Sequence, residues 1–129
     1  MRPFLLPLLA FVVAVSACTF VPAAPATWTF DPDDIIGPGT TEFTVWVTEQ
    51  DCAGGQSSAD RIYGPDVQTS AVAVVVTFRV RPLSGYQRCQ SNPATPISVR
   101  LPQPLGDRPL LDGGREPPQE PPPCAGRVA

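Results

Sequence analysis

Apolar and polar positions alternate along "TEFTVWVTEQ", residues 41–50. Phe43, Val45 and Val47 fall on one face and Thr44, Trp46 and Thr48 on the other. A period of two in β-branched and aromatic residues predicts a strand over 41–48. "RIYGPDVQT" and "AVAVVVTFRVRP" predict two more strands, with a tight turn near Thr69 and Ser70. In the second, Val72, Val74, Val76, Phe78 and Val80 share a face, and Ala73, Val75, Thr77, Arg79 and Arg81 take the other. Its first half is apolar on both faces, the mark of a central strand, expected over 71–81. "ISVRL" predicts a short strand with Ile97, Val99 and Leu101 inward. Leu105, Leu110 and Leu111 are expected to pack over the sheet as a lid.

No stretch carries an apolar stripe at helical spacing. The fold class is therefore all-β: a small antiparallel sandwich or open barrel of four or five strands over residues 41–114. Residues 19–40, "TFVPAAPATWTFDPDDIIGPGT", show no sustained period and read as a tether. At about 3.1 Å per residue such a tether would reach roughly 60–70 Å. An alternative folds Trp28 and Phe30 back as a first strand. After Arg115, "EPPQEPPPCAGRVA" is expected to be a disordered, polyproline-like tail over 115–129, because proline removes backbone donors.

Residues 4–17, "FLLPLLAFVVAVSA", are uncharged and follow Met1-Arg2-Pro3. A basic start, a short apolar core and small residues describe a secretory leader over 1–17. The run is shorter than the ~20 apolar residues a permanent span needs. Val15-Ser16-Ala17-Cys18 resembles the lipobox of bacterial lipoproteins. That resemblance implies a diacylglyceryl thioether on Cys18, cleavage after Ala17 and a lipidated segment and tether over 18–40. Thr19, in place of Asp, resembles the class not retained in the inner membrane. Ordinary cleavage after Ala17 would instead leave Cys18 as a thiol.

The cysteines are Cys18, Cys52, Cys89 and Cys124. Lipidation of Cys18 leaves three, of which one must stay unpaired; without it, two bridges can form. Four cysteines allow three pairings. Cys52–Cys89 is favoured, since both follow strand-like runs and the bridge would close a loop worth about 4 kcal/mol in the chain-entropy model. Cys124 is the unpaired thiol, an intermolecular partner, or a partner for Cys18.

Charge and chemistry narrow the function further. Of nine basic residues, all arginine, Arg2 leaves with the leader, so eight face twelve carboxylates. This acidic balance argues against nucleic acid or an anionic membrane as a partner, since both demand a basic patch. With no histidine and no lysine, Ser-His and Cys-His dyads, histidine metal sites and lysine Schiff bases are absent. There is no nucleotide-binding glycine motif and no C-x-x-C pair. No cofactor is expected.

Four weaker constellations remain. Asp31, Asp33 and Asp34 could offer oxygens to calcium, against the plainer reading of a solvated acidic tether. Glu42, Glu49, Asp51 and Asp60 supply carboxylates from which a hydrolytic pair could be drawn. Trp46, Tyr63 and Tyr86 could form an aromatic platform, though core packing is the commoner use. Asp107-Arg108 reads as an ion pair or turn hydrogen bond fixing the last loop.

"NPATPISVRLPQPLGDRPLLDGG" is similar to a stretch found in small uncharacterised exported proteins and lipoproteins of high-GC bacteria, in which a cysteine also precedes the Asn-Pro pair. The resemblance spans about residues 41–114 and implies a shared exported domain with Cys89 as a structural cysteine. It brings no catalytic residue and no ligand.

The expected protein is a non-enzymatic binding or structural module in the cell envelope. It would be held to the outer face of the cytoplasmic membrane, or in the outer membrane, by lipid on Cys18. Its partners would be the membrane, and a protein or cell-wall component met by the loops after Cys52 and around 86–96. The alternatives are an unlipidated secreted inhibitor or ligand with two disulfides, and a carboxylate-dependent hydrolase.

Overall fold

The computed structural model describes residues 22–122. The architecture is all-β: one curled sheet forming a half-barrel, with no helix among the described residues. Its strands are β1 (Ala24–Phe30), β2 (Glu42–Glu49), β3 (Ile62–Thr69), β4 (Val74–Val80), β5 (Thr95–Arg100) and β6 (Leu110–Asp112). The spatial order is β3-β4-β1-β2-β5, all antiparallel, and β6 joins β4 in parallel. Of the two architectures expected, the open barrel is the one adopted.

The inward phase follows the alternation. Phe43, Val45, Val47, Val74, Val76, Phe78, Val80 and Val99 are buried, and with Ala26 and Trp28 they fill the concave side. Each such side chain contributes about 1.5–3 kcal/mol by leaving water. Leu101, Leu105 and Leu110 close over them; Leu111 is only half-buried. Val72 departs from its expected face. It sits in the turn that Ser70 N–H closes on the Ala73 carbonyl, and it is exposed.

The largest correction concerns the tether. Residues 24–30 form the middle strand of the sheet, pairing with β2 from Ala26↔Glu49 to Phe30↔Val45 and with β4 from Ala24↔Val80 to Ala26↔Phe78. The physical reason is an apolar period of two hidden among prolines: Ala26, Trp28 and Phe30 share one face. Trp28 is 1% exposed, and its ring meets Phe30 edge-on at 5.3 Å.

β1 leaves β4 after Ala26 to stay with β2, and β6 takes the vacated flank, with Val74↔Leu110 through Val76↔Asp112. The proline-rich segment is likewise held against the sheet through residue 119, by Asp112 N–H donating to the Gln119 carbonyl at 2.7 Å. The bond needs an N–H only at Asp112 and a carbonyl at residue 119, so the surrounding prolines do not prevent it.

The edge strand β3 carries a bulge between Tyr63 and Asp66. Gly64 lies at φ +113°, where a Cβ would meet the Thr77 carbonyl, so only glycine fits. The extra residue brings Ile62 and Val67 onto the same, inner face.

Candidate functional site

The antiparallel register gathers the start of β1, the end of β2, the start of β3, the end of β4 and the start of β5 at one end of the sheet. Two loops, residues 50–61 and 81–94, emerge there. Cys52 and Cys89 join them in a disulfide, with Cα atoms 4.4 Å apart. Gly54 N–H donates to the Arg88 carbonyl at 2.9 Å, and the Asn92 side-chain amide donates to the carbonyls of Glu49 (2.9 Å) and Asp51 (2.8 Å).

The same end of the sheet holds a buried ion pair. Arg61 grips Glu49 with both guanidinium nitrogens, Nη1 to Oε1 at 2.8 Å and Nη2 to Oε2 at 2.6 Å. Both side chains are nearly closed to water. Arg61 Nη1 also donates to the Arg81 carbonyl at 2.6 Å, and Arg81 N–H returns a bond to the Arg61 carbonyl. One guanidinium thus ties the ends of β2 and β4 to the entry of β3. Hydrogen bonding to Glu49 outweighs the desolvation and raises the Arg61 pKa above the ordinary arginine value.

In the sequence Glu49 is one carboxylate among several. Its position carried a better signal: it continues the inward phase of Phe43, Val45 and Val47, and a charge on an inward position requires a buried partner. Asp112, two residues after inward Leu110, repeats the pattern on β6. Its Oδ1 accepts from Gly114 N–H at 2.8 Å, its Oδ2 from Trp28 N–H at 3.2 Å, and Arg115 Nε stands 3.3 Å from Oδ2.

The other expected constellations are dispersed or differently used. Glu42 and Glu49 stand at opposite ends of β2, about 23 Å apart at the rise of an extended chain. Glu42 is paired with Arg100 at 3.4 Å and accepts from the Ser98 hydroxyl. Asp51 and Asp60 are exposed in the first loop. Trp46 and Tyr63 lie on β2 and β3, with β1 and β4 between them, and Tyr86 is on the second loop; the three do not form one platform.

Asp31 and Asp34 are not a solvated tether. Asp31 accepts from Trp46 Nε1 at 2.9 Å and from Asp33 N–H, and Asp34 accepts from Thr44 N–H. These bonds dock the 31–41 loop on β2. Arg108 fixes the final loop through the carbonyls of Leu105, Pro104 and Ser70. It is the turn hydrogen bonds, of the two expected forms, that do so.

Cys18, the Ala17 cleavage point and Cys124 lie outside the described residues. Comparison with family models, with curated proteins and with solved structures returns no match.

The clasped end offers no nucleophile and base in contact. It offers a stiff double loop on which Tyr86, Arg88 and Gln90 are exposed. Loops held on a rigid scaffold are where recognition is commonly placed.

Proposed function

We propose that this chain is an exported lipoprotein, anchored through lipid on Cys18, that acts as a non-enzymatic binding or structural module in the cell envelope. The observation that carries the reading is Val15-Ser16-Ala17-Cys18 at the end of an uncharged apolar run, six positions before the first strand. The Cys52–Cys89 disulfide supports export, since such bonds persist in oxidising compartments. One acyl chain binds a bilayer only reversibly, whereas the two or three of a lipoprotein hold firmly.

With β1 beginning at Ala24, the leash is short. An extended chain spans at most about 3.3–3.6 Å per residue, so Cys18 and Ala24 are at most about 20 Å apart. The domain is held close to the bilayer, not displayed far from it.

Growth of an expressing bacterium on labelled palmitate tests the anchor. Label is expected in the mature wild-type protein and absent from Cys18→Ala. A wild-type protein that is exported and cleaved but carries no label would refute lipidation.

A further inference from the structure

We infer that the disulfide-clasped end of the sheet is the face that sits on the membrane, with its arginines and Tyr86 against the phosphate headgroups of an anionic bilayer. The inference rests on the anchoring reading above and names the partner of the same loop pair.

Chain direction comes first. β1 enters the sheet at Ala24, opposite Val80 at the end of β4, and Ala26 lies opposite Glu49 at the end of β2. The lipid cysteine therefore leads into the end that carries the Cys52–Cys89 loops. A leash of at most about 20 Å is no longer than a seven-residue strand, which rises about 23 Å. With the lipid in the bilayer, the near end can touch the surface and the far end cannot take its place.

Charge points the same way. The Arg61–Glu49 pair cancels inside the fold, which leaves Arg79, Arg81 and Arg88 at the near end against Asp51, Asp60 and Glu116, the last brought there because β6 runs parallel to β4 and seats Gly114 on Ala26. The far end carries Asp31, Asp33, Asp34, Glu42 and Asp107 against Arg100 and Arg108. An overall acidic chain is thus polarised along its strands. The two ends lie about 23 Å apart, well beyond the ~8 Å screening length of physiological salt. An anionic surface therefore meets a near-neutral end whose exposed arginines can reach its phosphates, while the net-negative far end is kept away from it.

Tyr86 supplies the third observation. It is 93% exposed at the tip of the second loop, beside half-buried Leu83. An aromatic ring with a polar tip suits the interfacial layer of a bilayer. The disulfide and the Arg61–Glu49 pair keep this tip from folding away.

The full-length, natively lipidated protein would be placed in phosphatidylcholine–phosphatidylglycerol vesicles containing a nitroxide-headgroup lipid. Tryptophan emission is read for Tyr86→Trp and for Ile35→Trp, the latter at a site 95% exposed at the far end. The wild-type signal from Trp28 and Trp46 is subtracted. The added emission of Tyr86→Trp is expected to be lost to the nitroxide, and that of Ile35→Trp to be retained. Equal quenching, or stronger quenching of Ile35→Trp, would overturn the orientation while leaving the anchor intact. The mass of Cys18 is read on the same samples; an unmodified cysteine would overturn the anchor, and the orientation with it.

Discussion

The backbone N–H of Trp28 donates to Oδ2 of Asp112 across 84 positions of sequence, at 3.2 Å. The Trp28 indole donates in turn to the Val76 carbonyl at 2.8 Å, which also receives Gly113 N–H at 3.0 Å. These bonds satisfy the backbone where β1 parts from β4 and β6 slips in. Asp112 is wholly buried. Desolvation raises its pKa above 3.8, against the opposing pull of Gly114, Trp28 and Arg115.

The pH dependence follows from that direction. The folded protein holds the Asp112 proton more tightly than the unfolded chain does. The ionised carboxylate therefore costs stability at neutral pH, and the cost is removed as pH falls through the raised folded value towards 3.8. Urea unfolding of wild type and Asp112→Asn across this range should show the wild type gaining on the variant as pH falls. A difference that is flat, or that grows with pH, would contradict a raised Asp112.

Glu49 and Arg61 form a closed pair, so removing one partner strands the other. Glu49→Gln or Arg61→Met is expected to cost about 3–5 kcal/mol, because an uncompensated charge or donor stays buried. The double variant Glu49→Leu/Arg61→Met should recover part of that loss. A double-mutant cycle in urea measures the coupling, and strict additivity would mean the pair is not closed as described.

Cys52→Ala/Cys89→Ala opens a crosslink spanning 37 residues. The expected loss is about 4 kcal/mol in the chain-entropy model. The bonds from Gly54 to Arg88 and from Asn92 to Glu49 and Asp51 are not part of the crosslink. The loops should therefore stay docked, with the native amide chemical shifts of Gly54 and Asn92 retained in NMR spectra of the folded variant. Collapse of those shifts with the rest of the sheet intact would show the disulfide to be the only tie.

Gly114 packs directly on the Ala26 carbonyl, where a methyl group has no room, whereas Gly39 faces open space. Gly114→Ala should destabilise by about 1–3 kcal/mol through overpacking, and Gly39→Ala should be nearly silent. Thermal midpoints of the two variants make the comparison. Equal midpoints would mean the segment after β6 is not seated on β1.

How legible all this was depends on the element. β2, β4 and β5 were plain because period-two alternation and one-sided burial coincide in them, and Cys52 and Cys89 follow strands that end together. β1 was hidden because Pro22 and Pro25 masked the shared face of Ala26, Trp28 and Phe30. β3 was blurred by its bulge, which shifts the phase between Ile62 and Val67. β6 is three residues long and owes its place to the gap left by β1. Of the site, the disulfide was readable. The Arg61 partner was not, although Glu49 and Asp112 on inward positions signalled that buried partners must exist.

The most direct test of the account is the intact mass of the mature protein from its native membrane, before and after reduction. Acyl mass on an N-terminal Cys18, with a gain on reduction corresponding to one disulfide, is the expected result. An unmodified Cys18 with a gain corresponding to two disulfides would contradict it. Cys18 would then be a partner in a covalent clasp, and the domain would have no lipid leash to bring it to a membrane.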